Sequence, residues 1–214
     1  MASPTYDPTV FNVASERQAK DIILTPEAGM TPDERWEKET PDVFQRMVGF
    51  LEPPTDAPSV ILDWGCGIGR LAKPLCEWGV HVVGVDISPD MRRLARYYVG
   101  DEERFRVVAP AVYEEGAGSS TYACFDAAVA TWSLQHIPKL ERAIAAIRRT
   151  LKPRAPLFLL NRVERVIPVV GGWMPDGKDV PTALRAAGFK LEEEEQLGPP
   201  LYAAGSVWSV WRAA

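Results

Sequence analysis

With 214 residues, a formal net charge of -5 and 46% hydrophobic against 25% charged residues, the chain suits one soluble globular domain and leaves no room for two large ones. The acidic balance argues against a chain-wide nucleic-acid surface. No apolar run approaches membrane-spanning length, and Met1 to Lys20 lacks the apolar core of a signal peptide. Cys66, Cys76 and Cys124 are odd in number and lack CxxC spacing, which argues for a reducing cytoplasm and against disulfides or a cysteine zinc site.

The first thirty or so residues, rich in Pro, Thr and Asp around the apolar cluster Ile22-Ile23-Leu24, read as an arm or loosely packed helix. Residues 1–40 are accordingly divided off as an arm or lid from a domain at 41–214. Thr40 as N-cap and Pro41 at the first helical position open a helix whose apolar face is Phe44, Met47, Val48 and Leu51, ended by Glu52-Pro53-Pro54. From residue 59 the pattern alternates. Strand Ser59–Asp63, helix Arg70–Trp78, strand Val80–Asp86 and a helix opened by Ser88-Pro89 come first. Strands Phe105–Ala109, Phe125–Thr131 and Leu157–Asn161 follow, with helix Lys139–Leu151 between the last two. Helix Val180–Ala187 precedes two closing strands, Phe189–Gln196 and Ser206–Arg212, which lack an intervening helix and so form an antiparallel hairpin at the sheet edge. The expected architecture is a mostly parallel sheet with helices on both faces.

The chemistry is concentrated in Leu62-Asp63-Trp64-Gly65-Cys66-Gly67-Ile68-Gly69. Glycines leaving a strand for a helix let the backbone turn sharply and a ligand lie against it. The spacing is G-x-G-x-G rather than the dinucleotide G-x-G-x-x-G, and no P-loop lysine follows, so NAD, FAD and ATP hydrolysis are poor readings. Asp86 ends the second strand, 17 residues after Gly69, where a carboxylate can accept both hydrogen bonds of a ribose diol. Asp63 adds a carboxylate able to attract an ammonium group directly or through water. Amino group, ribose and base together suggest an amino-acid nucleoside.

These residues, with Val85-Asp86-Ile87-Ser88-Pro89-Asp90-Met91, resemble motifs I and II of class I S-adenosylmethionine-dependent methyltransferases. Phe125-Asp126 leading to Trp132-Ser133-Leu134-Gln135-His136-Ile137 is similar to the family's fourth-strand segment, and Leu151-Lys152-Pro153 to its usual approach to strand five. The resemblance covers residue 41 to the C-terminus and implies a three-layer Rossmann-like sandwich, its seven-stranded sheet in order 3-2-1-4-5-7-6 with strand 7 antiparallel. It implies S-adenosyl-L-methionine as cofactor, with Asp63, Gly65, Cys66 and Gly67 facing its methionine portion, Asp86 its ribose, and Ile87 and Met91 its adenine. Trp36 lies where relatives place an aromatic over the methionine end. An acid often found after strand three is replaced here by Ala109-Pro110-Ala111-Val112, which leaves the base to the backbone of Ala111 and Val112.

His136 is the catalytic candidate, a general base or substrate-orienting group, while His81 reads as structural. The two histidines offer no metal-ligand spacing. Arginines 92, 93 and 96, and the stretch Arg148 to Arg154, read as solvated helix faces with interspersed acids. Arg162 to Arg165 and Gly171-Gly172-Trp173 leave the carboxyl end of the fifth strand, where they would wall an acceptor site or form a plain surface loop. The resulting expectation is in-line methyl transfer to a small molecule in the cytoplasm, without nucleic-acid or membrane partners; oligomeric state has no signature in the sequence. Methylation of RNA or protein, and a non-catalytic cofactor-binding sensor or partner subunit, are the alternatives.

Overall fold

The computed structural model describes residues 5–27, 29–51, 59–116 and 125–214; Cys124 and the Glu52-Pro53-Pro54 stop lie outside them. Seven of the apolar runs become one sheet: β1 Val60–Trp64, β2 His81–Val85, β3 Phe105–Val108, β4 Ala127–Thr131, β5 Pro156–Arg162, β8 Phe189–Leu197 and β9 Ser206–Ala213. Their order is β3-β2-β1-β4-β5-β9-β8. The strands from β3 to β5 pair in parallel, and β9 runs antiparallel to both β5 and β8. With β9 as the expected strand 7 and β8 as strand 6, this is the anticipated topology. The acidic run Glu192–Glu195 lies on β8, whose sole strand partner among the described residues is β9. Charges on such an edge discourage further strand pairing.

Central strands read as continuous apolar runs because both sheet faces are covered. Leu62, Ala128, Ala130, Leu157 and Leu159 pack on one side with Ile144 and Ile147 of α6 (Leu140–Thr150) and Leu184 of α7 (Val180–Ala186). Ile61, Val129, Phe158 and Leu160 pack on the other with Leu75 of α3 (Ala72–Glu77) and with Val43 and Met47 of α2 (Pro32–Val48). Each fully buried Leu or Ile contributes roughly 1.5–3 kcal/mol. The remaining helices are α1 (Glu16–Ile23), α4 (Pro89–Val99) and α5 (Pro110–Gly116).

The start of α2 differs from the expectation. Thr40-Pro41 does not open the helix; it lies inside it, and the arm boundary drawn at residue 40 falls mid-helix. The helix begins at a complete capping box. Thr31 Oγ1 accepts from Glu34 N–H, and the Glu34 carboxylate accepts from Thr31 N–H at 2.8 Å, with Pro32 at the first position. An interior proline costs about 3 kcal/mol, and burial of Arg35, Trp36, Glu39, Val43 and Met47 along one face offsets it.

Glu39 is the polar centre of that face. Fully buried, it accepts from Arg35 Nη2 at 2.6 Å, Arg70 Nη1 at 3.0 Å and Trp132 Nε1 at 2.7 Å, while Arg35 Nη1 donates to Thr25 O at 2.6 Å. One carboxylate thus joins the arm, the exit of the glycine loop and the end of β4.

A second small sheet was not expected. β6 (Ile167–Val169) and β7 (Gly172–Met174) form a hairpin in the segment anticipated as a wall or loop. The N-terminal arm adds to its edge: Tyr6 bridges Val169, Asp7 N–H donates to Pro168 O at 3.1 Å, and Val170 N–H donates to Thr5 O at 3.0 Å. Arg165, 6% exposed, fastens the hairpin to the segment after β4 through the carbonyls of Leu134 and Ile137, and is itself held by Asp176 at 2.7–3.1 Å.

Glu39→Gln leaves two buried guanidiniums without a counter-charge, so urea denaturation should show a loss of roughly 3–5 kcal/mol; a loss below about 1 kcal/mol, the value of an exposed pair, would contradict this role.

Candidate active site

The loop after β1 is closed against β2 by two donors on one carbonyl, Gly65 N–H and Cys66 N–H to Val85 O at 2.7 and 3.1 Å. Gly65 has φ 76°, and a Cβ there would stand 2.3 Å from Ser133 Cβ. Ser133 is held in place by its Oγ donating to Trp64 O at 2.7 Å. Gly67, at φ 54°, turns its N–H onto Asp86 Oδ2 at 2.9 Å, and Ser88 N–H reaches Asp86 Oδ1 at 2.9 Å. Both oxygens of this carboxylate are held by backbone, and each keeps a further acceptor position. Arg92 Nη1 donates to the carbonyls of Asp86 and Ile87 at 2.7 and 2.9 Å, fixing the chain at the end of β2.

This loop opens into a cavity of about 910 Å³ at the carboxyl ends of the central strands, the side where open α/β sheets place ligands. Gly65, Gly67, Asp86, Ile87, Met91 and His136 all line it. The other candidates do not. Asp63 and Cys66 are buried behind the loop. Ala111 and Val112 sit in the first turn of α5, where backbone N–H groups have no partner within the helix, and it is Pro110 and Glu114 of that helix that reach the cavity. Trp36 is 7% exposed and packs with Ile68, Met91 and Leu24, its Nε1 donating to the Tyr98 hydroxyl at 3.1 Å. It fastens α2 to α4.

Arg35, Trp132 and Gln135 line the cavity and were missed by the sequence reading. Arg35 is 2% exposed and its Nε has no partner. Trp132 adopts φ 54°, rare for a bulky side chain, and its Nε1 bond to Glu39 holds it there. From the arm, Tyr6, Phe11 and Ile23 complete the wall. Of the segment after β5, Arg162, Glu164 and Trp173 face the cavity, while Arg165 serves as the staple described above.

His136 follows β4 in a 3-10 turn, Leu134–His136. Its ring lies 5.0 Å from Trp173 and 6.5 Å from Phe11, centroid to centroid. Burial first, and the Arg165 charge as well, hold its pKa below the ordinary imidazole value against the bond to Val166 O, so it stays neutral at neutral pH. Burial raises the Asp86 carboxyl, opposed by the N–H groups of Ser88 and Gly67 and by Arg92. Asp63 is pushed up to about 7 by burial, opposed by Arg70 and aided by Asp86. The Tyr6 hydroxyl is pushed up to about 12, by burial and then by Asp86 and Asp7. Burial also takes the Cys66 thiol well above its usual range, which suits a packing residue and not a nucleophile. Within the basic stretches, Arg93 pairs with Asp90, Lys152 with Asp126, and Arg148 with the Ala214 carbonyl. Among the described residues no three His, Cys, Asp or Glu side chains group as a metal site, and no helix is long and apolar enough to cross a membrane.

A family model described as a methyltransferase domain matches residues 62–159. A ubiquinone biosynthesis O-methyltransferase of Xanthomonas axonopodis pv. citri is 30% identical over 185 residues, covering 76% of this chain and 70% of that protein. The chain belongs to the class I S-adenosylmethionine-dependent methyltransferases. A ubiquinone biosynthesis O-methyltransferase of Idiomarina loihiensis is 29% identical over 141 residues, 61% of this chain and 58% of that protein. The chain spans about half the length of the curated relatives it matches, from 43% to 58% in the leading ones. In fold it is similar to magnesium protoporphyrin IX methyltransferase from Synechocystis PCC 6803 with bound S-adenosylmethionine, with a TM-score of 0.62 at 19% identity, covering 95% of this chain and 86% of that one.

The residues present fit the family's cofactor: a backbone-held carboxylate with acceptor positions to spare, glycine backbone bare of Cβ, and an orphaned guanidinium N–H share one cavity of ligand size.

Gly65→Ala combines left-handed strain of about 1–2 kcal/mol with overpacking of about 1–3 kcal/mol against Ser133. Gly171→Ala, also at positive φ but with nothing within 4 Å, carries the strain alone. Urea melts should rank them in that order, and equal losses would contradict the close approach of Ser133. For Asp63, a folded pKa near 7 above the ordinary 3.8 means the folded state binds the extra proton. Stability is therefore lost as pH rises from about 4 to about 7. Asp63→Asn should remove up to roughly 4 kcal/mol of that fall, and parallel pH profiles for the two proteins would contradict the shift.

Proposed function

We propose that this chain transfers a methyl group from S-adenosylmethionine to a small-molecule acceptor held in the cavity. The observation carrying this reading is the Asp86 carboxylate, locked by Gly67 and Ser88 and open to the same cavity as His136. Asp86 takes the ribose hydroxyls, Ile87 and Met91 flank the adenine, and Gly65 and Gly67 let the methionine portion lie against bare backbone. Arg35, its Nε free and its charge balanced by Glu39, takes the carboxylate end.

When bound, the cofactor supplies a sulfonium-activated methyl carbon. The protein's part is alignment, which contributes at most about 7–11 kcal/mol to lowering the barrier. His136 and Gln135 face the acceptor, and Phe11 and Trp173 exclude water from it. Residues 5–27 act as the lid: Tyr6 and Phe11 cover the site while the strand pairing with β6 holds them down. Such a cover suits a small acceptor and disfavours RNA or protein, as does the internal pairing of the basic stretches. Relatives named for ubiquinone biosynthesis and for magnesium protoporphyrin IX support the same choice. A reducing cytoplasm suits Cys66 and Cys76, the buried free cysteines among the described residues.

Two charge-assisted hydrogen bonds at about 1.5 kcal/mol each correspond to roughly 100-fold in affinity. Calorimetry on Asp86→Ala should show S-adenosylmethionine binding weakened by about that factor with the thermal unfolding transition retained; unchanged affinity would remove Asp86 from the site.

A further inference from the structure

Gln135 and His136 lie where the sheet, the hairpin and the arm meet, and the hydrogen-bond polarity between them is set by backbone. Arg162 N–H, at the end of β5, donates to Gln135 Oε1 at 2.6 Å, so the other end of the amide is the NH2, which donates to His136 Nε2 across 2.9 Å. On the far side of the ring, Nδ1 is 2.8 Å from Val166 O, which only accepts. Nδ1 therefore carries the hydrogen, and the single Nε2 lone pair is taken by Gln135. The run of bonds from Arg162 through both side chains to Val166 joins β5 to the residue before β6, with every donor matched to an acceptor. The ring also packs on Trp173 of β7 and Phe11 of the arm, whose own centroids are 6.2 Å apart. Gln135 is 5% exposed, and both side chains line the cavity. Charged and titratable groups on the surrounding elements are Arg165, neutralised by Asp176, Asp7 beside Tyr6 on the arm, and the cavity-lining Tyr6, Lys139, Arg162 and Glu164.

Resting on the methyl-transfer reading above, we infer that Gln135 and His136 are a positioning clasp: Gln135 holds His136 as one neutral tautomer, and that imidazole fixes the hairpin and the arm as the wall of the acceptor site. With both nitrogens engaged, the ring has no lone pair to spare for a proton from an acceptor. His136 is thus a positioning residue and not a general base. Protonation opens the clasp. A hydrogen on Nε2 would face the Gln135 NH2, and turning the amide to meet it would set that NH2 against the Arg162 N–H. Either way one of the two buried bonds is lost. Burial, with the Arg165 charge, holds the imidazole below its ordinary value of 6.5. The unfolded chain therefore binds this proton first, so the clasp's contribution is complete above about pH 6.5 and is lost as pH falls through the folded midpoint. The bond from Nδ1 to Val166 O survives protonation; what acid releases is the link from the ring to β5, and with it the wall's anchorage to the sheet.

Two measurements on the full chain test this. In nitrogen-15 spectra labelled at histidine, with the His136 signals identified by their loss in His136→Asn, the wild type should show one neutral tautomer protonated at Nδ1. Gln135→Glu keeps an acceptor for the Arg162 N–H but sets a carboxylate oxygen opposite Nε2, so His136 should bind its proton roughly tenfold or more tightly. An Nε2-protonated wild type, or an unmoved titration in the variant, overturns the pairing. The second measurement is amide exchange at Asp7 and Val170, whose N–H groups bond between arm and hairpin and so report on the wall. Corrected for its intrinsic pH dependence, exchange in the wild type should quicken roughly fivefold as pH falls through the His136 midpoint, the factor expected for one lost hydrogen bond. His136→Asn can still donate to Val166 O but does not titrate, and should show no such step. A wild type without the step, or a step that persists in His136→Asn, overturns the clasp. Calorimetry with S-adenosylhomocysteine separates the failures: absent binding sinks the methyl-transfer reading, while the spectra and the exchange still decide the clasp.

Discussion

The grip of backbone on the Asp86 carboxylate is the constraint on which the rest of the site depends. Gly67 N–H reaches Oδ2 only because the loop turns through positive φ, and Ser88 N–H reaches Oδ1 because that serine caps α4, its Oγ accepting from Met91 N–H at 3.2 Å. One carboxylate therefore sets the spacing between the ends of β1 and β2, and with it the floor of the cavity. Its raised pKa records the cost of burial, and its two backbone donors limit that cost.

The cavity is built by two different parts of the chain. The floor comes from the sheet: Gly65, Gly67, Asp86 and the first turn of α4. Its far wall comes from outside the parallel core, from the arm, the 3-10 turn at His136 and the β6–β7 hairpin, joined by Arg165 and by the bridge from Tyr6 to Val169. Glu39 connects the two, since it bonds Arg70 at the loop exit, Trp132 after β4 and Arg35 in the wall. A regular sheet supplies the floor and segments outside it supply the wall, which is how a site is built onto a fold.

The floor was legible in the sequence because its signals are local. Three glycines, an acid ending an apolar run and Ser88-Pro89 opening a helix each act on their neighbours, so spacing alone reads them. The strand order followed from the alternation of elements together with the resemblance. The wall was not legible, because its residues are defined by what they meet across the fold. Trp36 looked like a site residue and is core, packed on Ile68 and Met91; Arg35, one position earlier, carried no signal in the sequence and lines the cavity. A local signal for the start of α2 did exist, Thr31-Pro32-Asp33-Glu34, and the later Thr40-Pro41 competed with it; burial of Glu39 decided between them. The three-residue strands β6 and β7 are too short for alternation to register, and they persist because the arm pairs with them and Arg165 holds them.

The most direct test of the account is a crystal structure of the full chain with S-adenosylhomocysteine. The account predicts both ribose hydroxyls on the Asp86 carboxylate, the adenine between Ile87 and Met91, and the sulfur turned toward the Gln135–His136 pair. A nucleoside seated elsewhere, or one whose ribose leaves Asp86 untouched, would contradict it.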